Sequence, residues 1–321
     1  MSIKITMLGS TGTGKTCYLY AMAKQMSVSP NGFTFEMEYG TDQYWALDEG
    51  WKNIEKGKWP EATNLTDTYS FSCSHAYNTI ADFEWVDYKG GILTAKGDEI
   101  DQNCRTEIIQ RMCDSFALIV CISAENLKGL VDGNADGNYI FSAYGNLLQQ
   151  YRRRQNKTIP VIFAITKSDL IIKEDFEKGI NILRKHVFAP LFVNGGGWFV
   201  GFVPVTLGEI KKGQIRPRNV EIPVLSCIKF VLDMKLAERE VSKKVLMEEA
   251  NTLQEKAEEE KNKWFGDKNL ITVLECQKED LQISLNNLNS CIDDCKRWQN
   301  ALAEVIKNAG TLLYFNGNQI G

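Results

Sequence analysis

The chain is poor in the residues that build metal centres and crosslinked frameworks. Only His75 and His186 represent histidine in 321 residues, and the nine cysteines include no C-x-x-C pair. A structural zinc site draws on closely spaced Cys and His, and a disulfide framework on regular cysteine spacing in an oxidising compartment. Neither is expected, and free thiols suit a reducing cytoplasm. Cys291 and Cys295 stand one helical turn apart, but Cys295 falls on an apolar repeat, where core packing is the expected role. Long hydrophobic runs are missing as well. The stretch Phe116-Ala117-Leu118-Ile119-Val120-Cys121-Ile122 is too short to cross a bilayer. A strand beginning at residue 3 leaves no room for a cleavable leader. There is no positive charge excess: 37 Lys and Arg oppose 41 Asp and Glu, a formal net charge of −4. That balance gives no reason to expect nucleic acid as a partner. Arg152-Arg153-Arg154 reads as a solvated helix C-terminus complementing its dipole. A cytoplasmic protein without a membrane span is expected.

What is present is ordinary globular composition, 44% hydrophobic and 24% charged, with length for one large domain and an accessory one. One stretch stands out. Gly9-Ser10-Thr11-Gly12-Thr13-Gly14-Lys15-Thr16 reads G-x-x-x-x-G-K-T, follows the strand-like run Ile3–Leu8 and precedes a helix-compatible stretch from Cys17 to Met26. That order is the setting of a phosphate-binding loop. Backbone N–H groups from Ser10 to Cys17 can converge on a polyphosphate, with glycines letting the chain wrap closely. Lys15 supplies positive charge at the β/γ-phosphates, and the Thr16 hydroxyl can ligate Mg²⁺.

The rest of the first 223 residues alternates strands and helices. Strands are expected at 33–39, 68–75, 79–86, 116–123, 159–166 and 198–206, and helices at 42–57, 101–113, 139–154 and 174–188. The helix at 42–57 carries Trp45, Leu47, Trp51 and Ile54, and the Gly- and Asp-rich segment 129–138 reads as a surface loop. This predicts an α/β domain with a doubly wound, mostly parallel sheet over residues 1–223. From 224 the composition turns to Leu, Glu and Lys. Leu225, Ile228, Leu232, Leu236, Val241, Val245 and Leu253 follow helical spacing, and Gly266-Asp267-Lys268-Asn269 breaks the helix. Leu274, Leu281, Leu288, Cys295 and Leu302 then recur every seven residues, the mark of a coiled-coil seam. An all-α antiparallel coiled-coil hairpin is expected over 224–309, self-paired or between chains, followed by a tail at 310–321.

With these motifs in order, residues 1–223 resemble a P-loop GTPase of the TRAFAC class, Ras-like and translation-factor-like. Asp87-Tyr88-Lys89-Gly90 matches D-x-x-G, and Thr166-Lys167-Ser168-Asp169 matches N/T-K-x-D in the threonine form that dynamins also show. The resemblance implies GTP and GDP as ligands with Mg²⁺. Asp87 would hold the metal through water, and the Gly90 N–H would meet the γ-phosphate. Asp169 would accept from guanine N1–H and N2–H₂, Lys167 would lie along the base, and Thr206-Leu207 would give the guanine carbonyl a backbone contact. Thr63 would close on Mg²⁺ and the γ-phosphate, with Thr66 as its rival. Lys15, Thr63 and Gly90 would thus assist hydrolysis, and Thr16, Thr63 and Asp87 would surround the metal. Gly91 replaces the glutamine that orients water in Ras-like proteins, which implies slow intrinsic hydrolysis and help from a partner. Arg105 and Arg111 are candidates for that help. The segments G-K-W-P-E-A-T and W-V-D-Y-K-G-G also resemble bacterial double-GTPase-type families, often linked to conflict or phage-defence systems. The expected function is a GTP-dependent switch signalling through the hairpin to a protein partner or a second copy. The alternative is a nucleotide-binding scaffold without significant turnover.

Overall fold

A computed structural model describes residues 2–28, 32–61, 67–87, 99–155, 158–209 and 215–320. The chain divides into two units, Met1–Ile228 with Val305–Gly321, and Lys229–Glu304.

The first unit holds a nine-stranded sheet ordered β2-β3-β4-β1-β5-β6-β7-β8-β9. The strands are β1 (Ser2–Gly9), β2 (Phe33–Glu36), β3 (Asp67–His75), β4 (Asn78–Asp87), β5 (Ala117–Ser123), β6 (Val161–Thr166), β7 (Phe199–Pro204), β8 (Leu312–Phe315) and β9 (Asn318–Ile320). The central run β4-β1-β5-β6-β7 is parallel. Both edges are antiparallel, β2 and β3 on one side and β8 and β9 on the other. The expectation of a mostly parallel sheet is corrected: among the described strands, antiparallel pairings are as numerous as parallel ones. The cause lies in two tight turns. Ala76 and Tyr77 have φ of 48° and 65°, and Asn316 and Gly317 have 50° and 78°. Two consecutive left-handed residues make the two-residue hairpin whose twist matches that of its strands. The tail therefore returns to the sheet and pairs β8 with β7.

β5 and β6 are buried along their whole length. Such strands need cover on both faces, which is why they read as unbroken apolar runs. On one face Leu118, Val120, Ile122, Phe163, Ile165 and Phe202 form a core with Ile108, Met112, Phe141 and Tyr144. Those come from α3 (Glu99–Asp114) and α5 (Ala135–Arg154). On the other side of the chain's path, α1 (Lys15–Met26) packs against α2 (Asp42–Glu55) and β2. Leu47, Trp51 and Ile54 of α2 are buried. Trp45 is not: it is 47% exposed and rests against Tyr39 and Tyr44.

The segment 129–138, expected as a loop, is mostly helix. Ser123 accepts a hydrogen bond from the Asn126 N–H and starts α4 (Ala124–Val131), and α5 begins at Ala135. Only a short turn around Gly133 separates them. α6 (Lys173–Ile182) stops short of the expected helix end and passes into a π-helical turn, Leu183–Val187.

The second unit is formed by α7 (Ile222–Asn262) and α8 (Lys268–Asn308) between Lys229 and Glu304. Asp233 meets Gln299 at 2.5 Å, Glu240 meets Lys296 at 2.9 Å, Gln254 meets Lys278 at 3.1 Å and Lys261 meets Glu275 at 2.5 Å. One residue number rises as the other falls, so the helices run antiparallel within one chain. The α8 repeat buries Leu274, Leu285, Ile292 and Cys295, while Leu281 and Leu288 are half-buried. The α7 side differs from the sequence expectation. Val241 and Val245 are 62% and 48% exposed. The inward spacing instead takes Arg239, Lys243, Leu246, Ala250, Leu253 and Ala257. Long Arg and Lys stems cover apolar surface while carrying charge outward. Arg239 Nη1 donates to the Cys291 carbonyl at 2.9 Å and to Cys295 Sγ at 2.7 Å.

Candidate nucleotide site

Parallel strands present all their carboxyl ends on one edge, and ligands of such sheets sit there. Gly9 ends β1, Asp87 ends β4, Thr166 ends β6, and Thr206 follows β7. Register brings the first two together, since Met7 pairs with Asp87.

The loop between β1 and α1 turns on Gly12 and Gly14, with φ of 80° and 81°. Gly14 is the N-cap of α1, so the open N–H groups of the helix lie next to the loop. Thr13 Oγ1 donates to the Ser10 carbonyl at 2.8 Å, and Lys15 Nζ donates to Gly9 and Ser10 carbonyls at 2.8 and 3.3 Å. Lys15 is only 6% exposed. Burial pulls its ammonium below the usual lysine range, partly offset by the Asp87 carboxylate.

Asp87 is 2% exposed, and burial raises its carboxyl from 3.8 to about 6 against the opposing pull of Lys15 and Thr16. Thr16 Oγ1 donates to Asp87 Oδ2 at 3.3 Å, and Asp87 Oδ1 is buried with no hydrogen-bond partner among the described residues. A hydroxyl and a half-satisfied carboxylate beside a phosphate loop form an oxygen donor set that suits a hard divalent cation.

On the other flank Thr166 Oγ1 donates to the Thr13 carbonyl at 2.6 Å, tying β6 to the phosphate loop. Lys167 has φ 53° and its Nζ pairs with Glu125 at 2.7 Å. Asp169 accepts a short hydrogen bond from the Thr206 hydroxyl, which in turn accepts from the Gly208 N–H at 2.9 Å. These groups meet in one cavity of about 590 Å³. Thr11, Gly12, Gly14, Lys15, Thr16 and Cys17 line its phosphate-loop side. Thr166, Lys167, Asp169, Thr206 and Leu207 line the same cavity. Burial pushes the Cys17 thiol up to about 11.

Ser10 and Thr13 are buried within the loop, at 3% and 1% exposure. The Ser10 N–H is already engaged, donating to the Tyr144 hydroxyl at 2.8 Å; that hydroxyl donates onward to the Cys121 carbonyl at 3.4 Å. Tyr144 is a site residue that the sequence does not announce, since on α5 it occupies an ordinary core position. Trp59, Pro60 and Glu61 also line the cavity. Thr63, Thr66, Gly90 and Gly91 lie outside the described residues. Arg105 borders a groove with Tyr139 and Asn146, and Arg111 pairs with Glu107 at 2.8 Å; neither lines the cavity.

No protein family and no curated protein matches the chain. Among solved structures, the signal recognition particle receptor SRb-GTP/SRX complex from Chaetomium thermophilum is 15% identical. That match covers 66% of this chain and 94% of that one, with a TM-score of 0.39. An oligomerised bacterial dynamin pair, described as providing a mechanism for long-range sensing and tethering of membranes, is also 15% identical. It covers 96% of this chain and 61% of that one, with a TM-score of 0.35. Both likenesses are distant. The chain has a mixed α/β sheet with a phosphate-type loop at its carboxyl edge.

Proposed function

We propose that the chain is a Mg²⁺-dependent GTP-binding switch with slow, partner-stimulated hydrolysis. The observation that carries this reading is one cavity lined both by Thr11, Gly12, Gly14, Lys15 and Thr16 of the phosphate loop and by Asp169. A loop that cradles phosphates fixes one end of a nucleotide, and the residue at the other end selects the base. An ionised carboxylate accepts two hydrogen bonds from guanine, whereas adenine offers no such pair and leaves the charge unpaired. The Thr206 hydroxyl holds the Asp169 carboxylate in place.

Lys15 holds its ammonium on the Gly9 and Ser10 carbonyls, and phosphate oxygens compete for it as a stronger, charged partner. Thr16 and Asp87 would hold Mg²⁺, whose charge neutralises the β/γ-phosphates when bound. The orphaned Asp87 Oδ1 supports that assignment. Thr63 and Gly90 would sense the γ-phosphate, and Gly91 in place of a water-orienting glutamine supports a low intrinsic rate. The antiparallel hairpin between Lys229 and Glu304 would carry the signal to a protein partner. A role in a bacterial conflict system rests on the short resemblance of residues 57–63 and 85–91 alone. Isothermal titration of GTP and ATP in Mg²⁺ tests the reading: GTP binding with ATP at least a hundredfold weaker is expected, and equal affinities contradict it.

A further inference from the structure

The tip of the helical hairpin carries Trp264 and Phe265, exposed at 92% and 91%. Single exposed apolar side chains need no explanation, but two adjacent aromatic rings held almost wholly in water do. The turn that presents them is closed. A Cβ on Gly266 would lie 2.2 Å from the Glu260 carbonyl oxygen, so no other residue fits there without moving backbone. Glu260 Oε1 accepts from the Asp267 N–H at 3.0 Å, and its other oxygen binds Lys263. Asp267 Oδ1 caps α8, accepting from the Asn269 and Leu270 N–H groups at 2.9 and 3.3 Å. Every one of these interactions satisfies the turn from within, and none of them draws in either ring.

We propose that this tip inserts Trp264 and Phe265 into the headgroup–acyl boundary of a lipid bilayer, through hydrophobic contact in place of charge. Ring size argues for a bilayer over a protein. Two aromatics offer roughly 150–250 Å² each, about 300–500 Å² together, against the roughly 800 Å² that each partner gives to a stable protein interface. A bilayer boundary needs no further complementary area, and indole, an apolar ring with one N–H, partitions there. Charge argues for a zwitterionic surface. Six carboxylates and four ammonium groups lie between residues 255 and 275, and Lys261 and Lys263 are paired with Glu275 and Glu260. The tip has no free cationic cluster to draw it to anionic lipid. This inference is independent of the nucleotide reading.

The test is sedimentation of the full chain with vesicles of pure phosphatidylcholine and of phosphatidylcholine with one fifth phosphatidylserine. Binding to both is expected, little changed by phosphatidylserine or by 0.5 M salt. Trp264→Ser with Phe265→Ser should weaken it at least about tenfold, since even one buried ring is worth that much, while Trp264→Phe retains it. The substituted side chains are solvated, so the fold, followed by thermal melting, should not change. Failure to bind either vesicle, binding confined to the phosphatidylserine vesicles, or full binding by the double variant overturns the proposal. So does a tip-dependent dimer seen by light scattering without vesicle binding.

Discussion

Asp87→Asn should change how stability depends on pH, and the size of the change follows from burial. In the folded chain without ligand the Asp87 carboxyl titrates at about 6 instead of 3.8. The folded state therefore holds a proton that the unfolded state has released throughout the interval between those values. Where the folded state binds more protons, unfolding free energy falls as pH rises. Stability attributable to Asp87 is highest below pH 4, declines through pH 4–6 and is level above about 7. The gap of about 2 pH units, at 1.36 kcal/mol each, corresponds to about 3 kcal/mol. Asp87→Asn removes the titration but also leaves Lys15 without its charge partner, so its absolute stability is a poor guide. The slope is the better observable. Urea denaturation of both proteins, without nucleotide or Mg²⁺, should show the wild type losing about 2 kcal/mol more than the variant between pH 4 and 7, since the unfolded carboxyl is already part-ionised at pH 4. Parallel profiles would refute the claim that Asp87 is an incompletely compensated buried carboxylate.

Other outcomes follow from the same physics. Tyr144→Phe keeps the ring but strips the acceptor from the Ser10 N–H, a loss of about 1–3 kcal/mol in denaturation and a severalfold weaker nucleotide affinity; unchanged values in both assays would sink the role of Tyr144. Ile292 is 2% exposed on the α8 seam, so Ile292→Ala should cost about 2–5 kcal/mol and lower the helical melting transition. A purified wild-type chain should release phosphate from GTP more slowly than about 1 s⁻¹, and Lys15→Ala should release none above background.

The sheet's centre was legible because β5 and β6 are buried on both faces and leave unbroken apolar runs in the sequence. Its edges were not. Asn316-Gly317 is a strong hairpin signal, yet the segments beside it are only three and four residues long and show no clear alternation. α4 escaped because Gly129, Asp132 and Gly133 dominate the composition, while the deciding feature is one capping hydroxyl on Ser123. The α8 repeat was plain, but on α7 charged Arg239 and Lys243 take inward positions that apolar counting gives to Val241 and Val245. The phosphate-loop residues, Thr166–Asp169 and Thr206–Leu207 were legible because each motif sits at or just after a strand end, where parallel topology gathers them. Trp59, Pro60 and Glu61 also line the cavity but carry no such motif. Tyr144 was not legible either, because what matters is one oxygen atom at 2.8 Å from the loop, which no periodicity encodes.

The central claim is that Asp169 selects guanine. Asp169→Asn replaces one acceptor of the carboxylate with an N–H₂ donor, so it opposes the guanine amino group and suits a base carrying a carbonyl there. Competitive titration of GTP and XTP against wild type and Asp169→Asn measures this directly. The account predicts at least a hundredfold loss for GTP together with a gain for XTP, a reversal of preference. If GTP binds both proteins alike, Asp169 does not read the base and the guanine assignment is wrong.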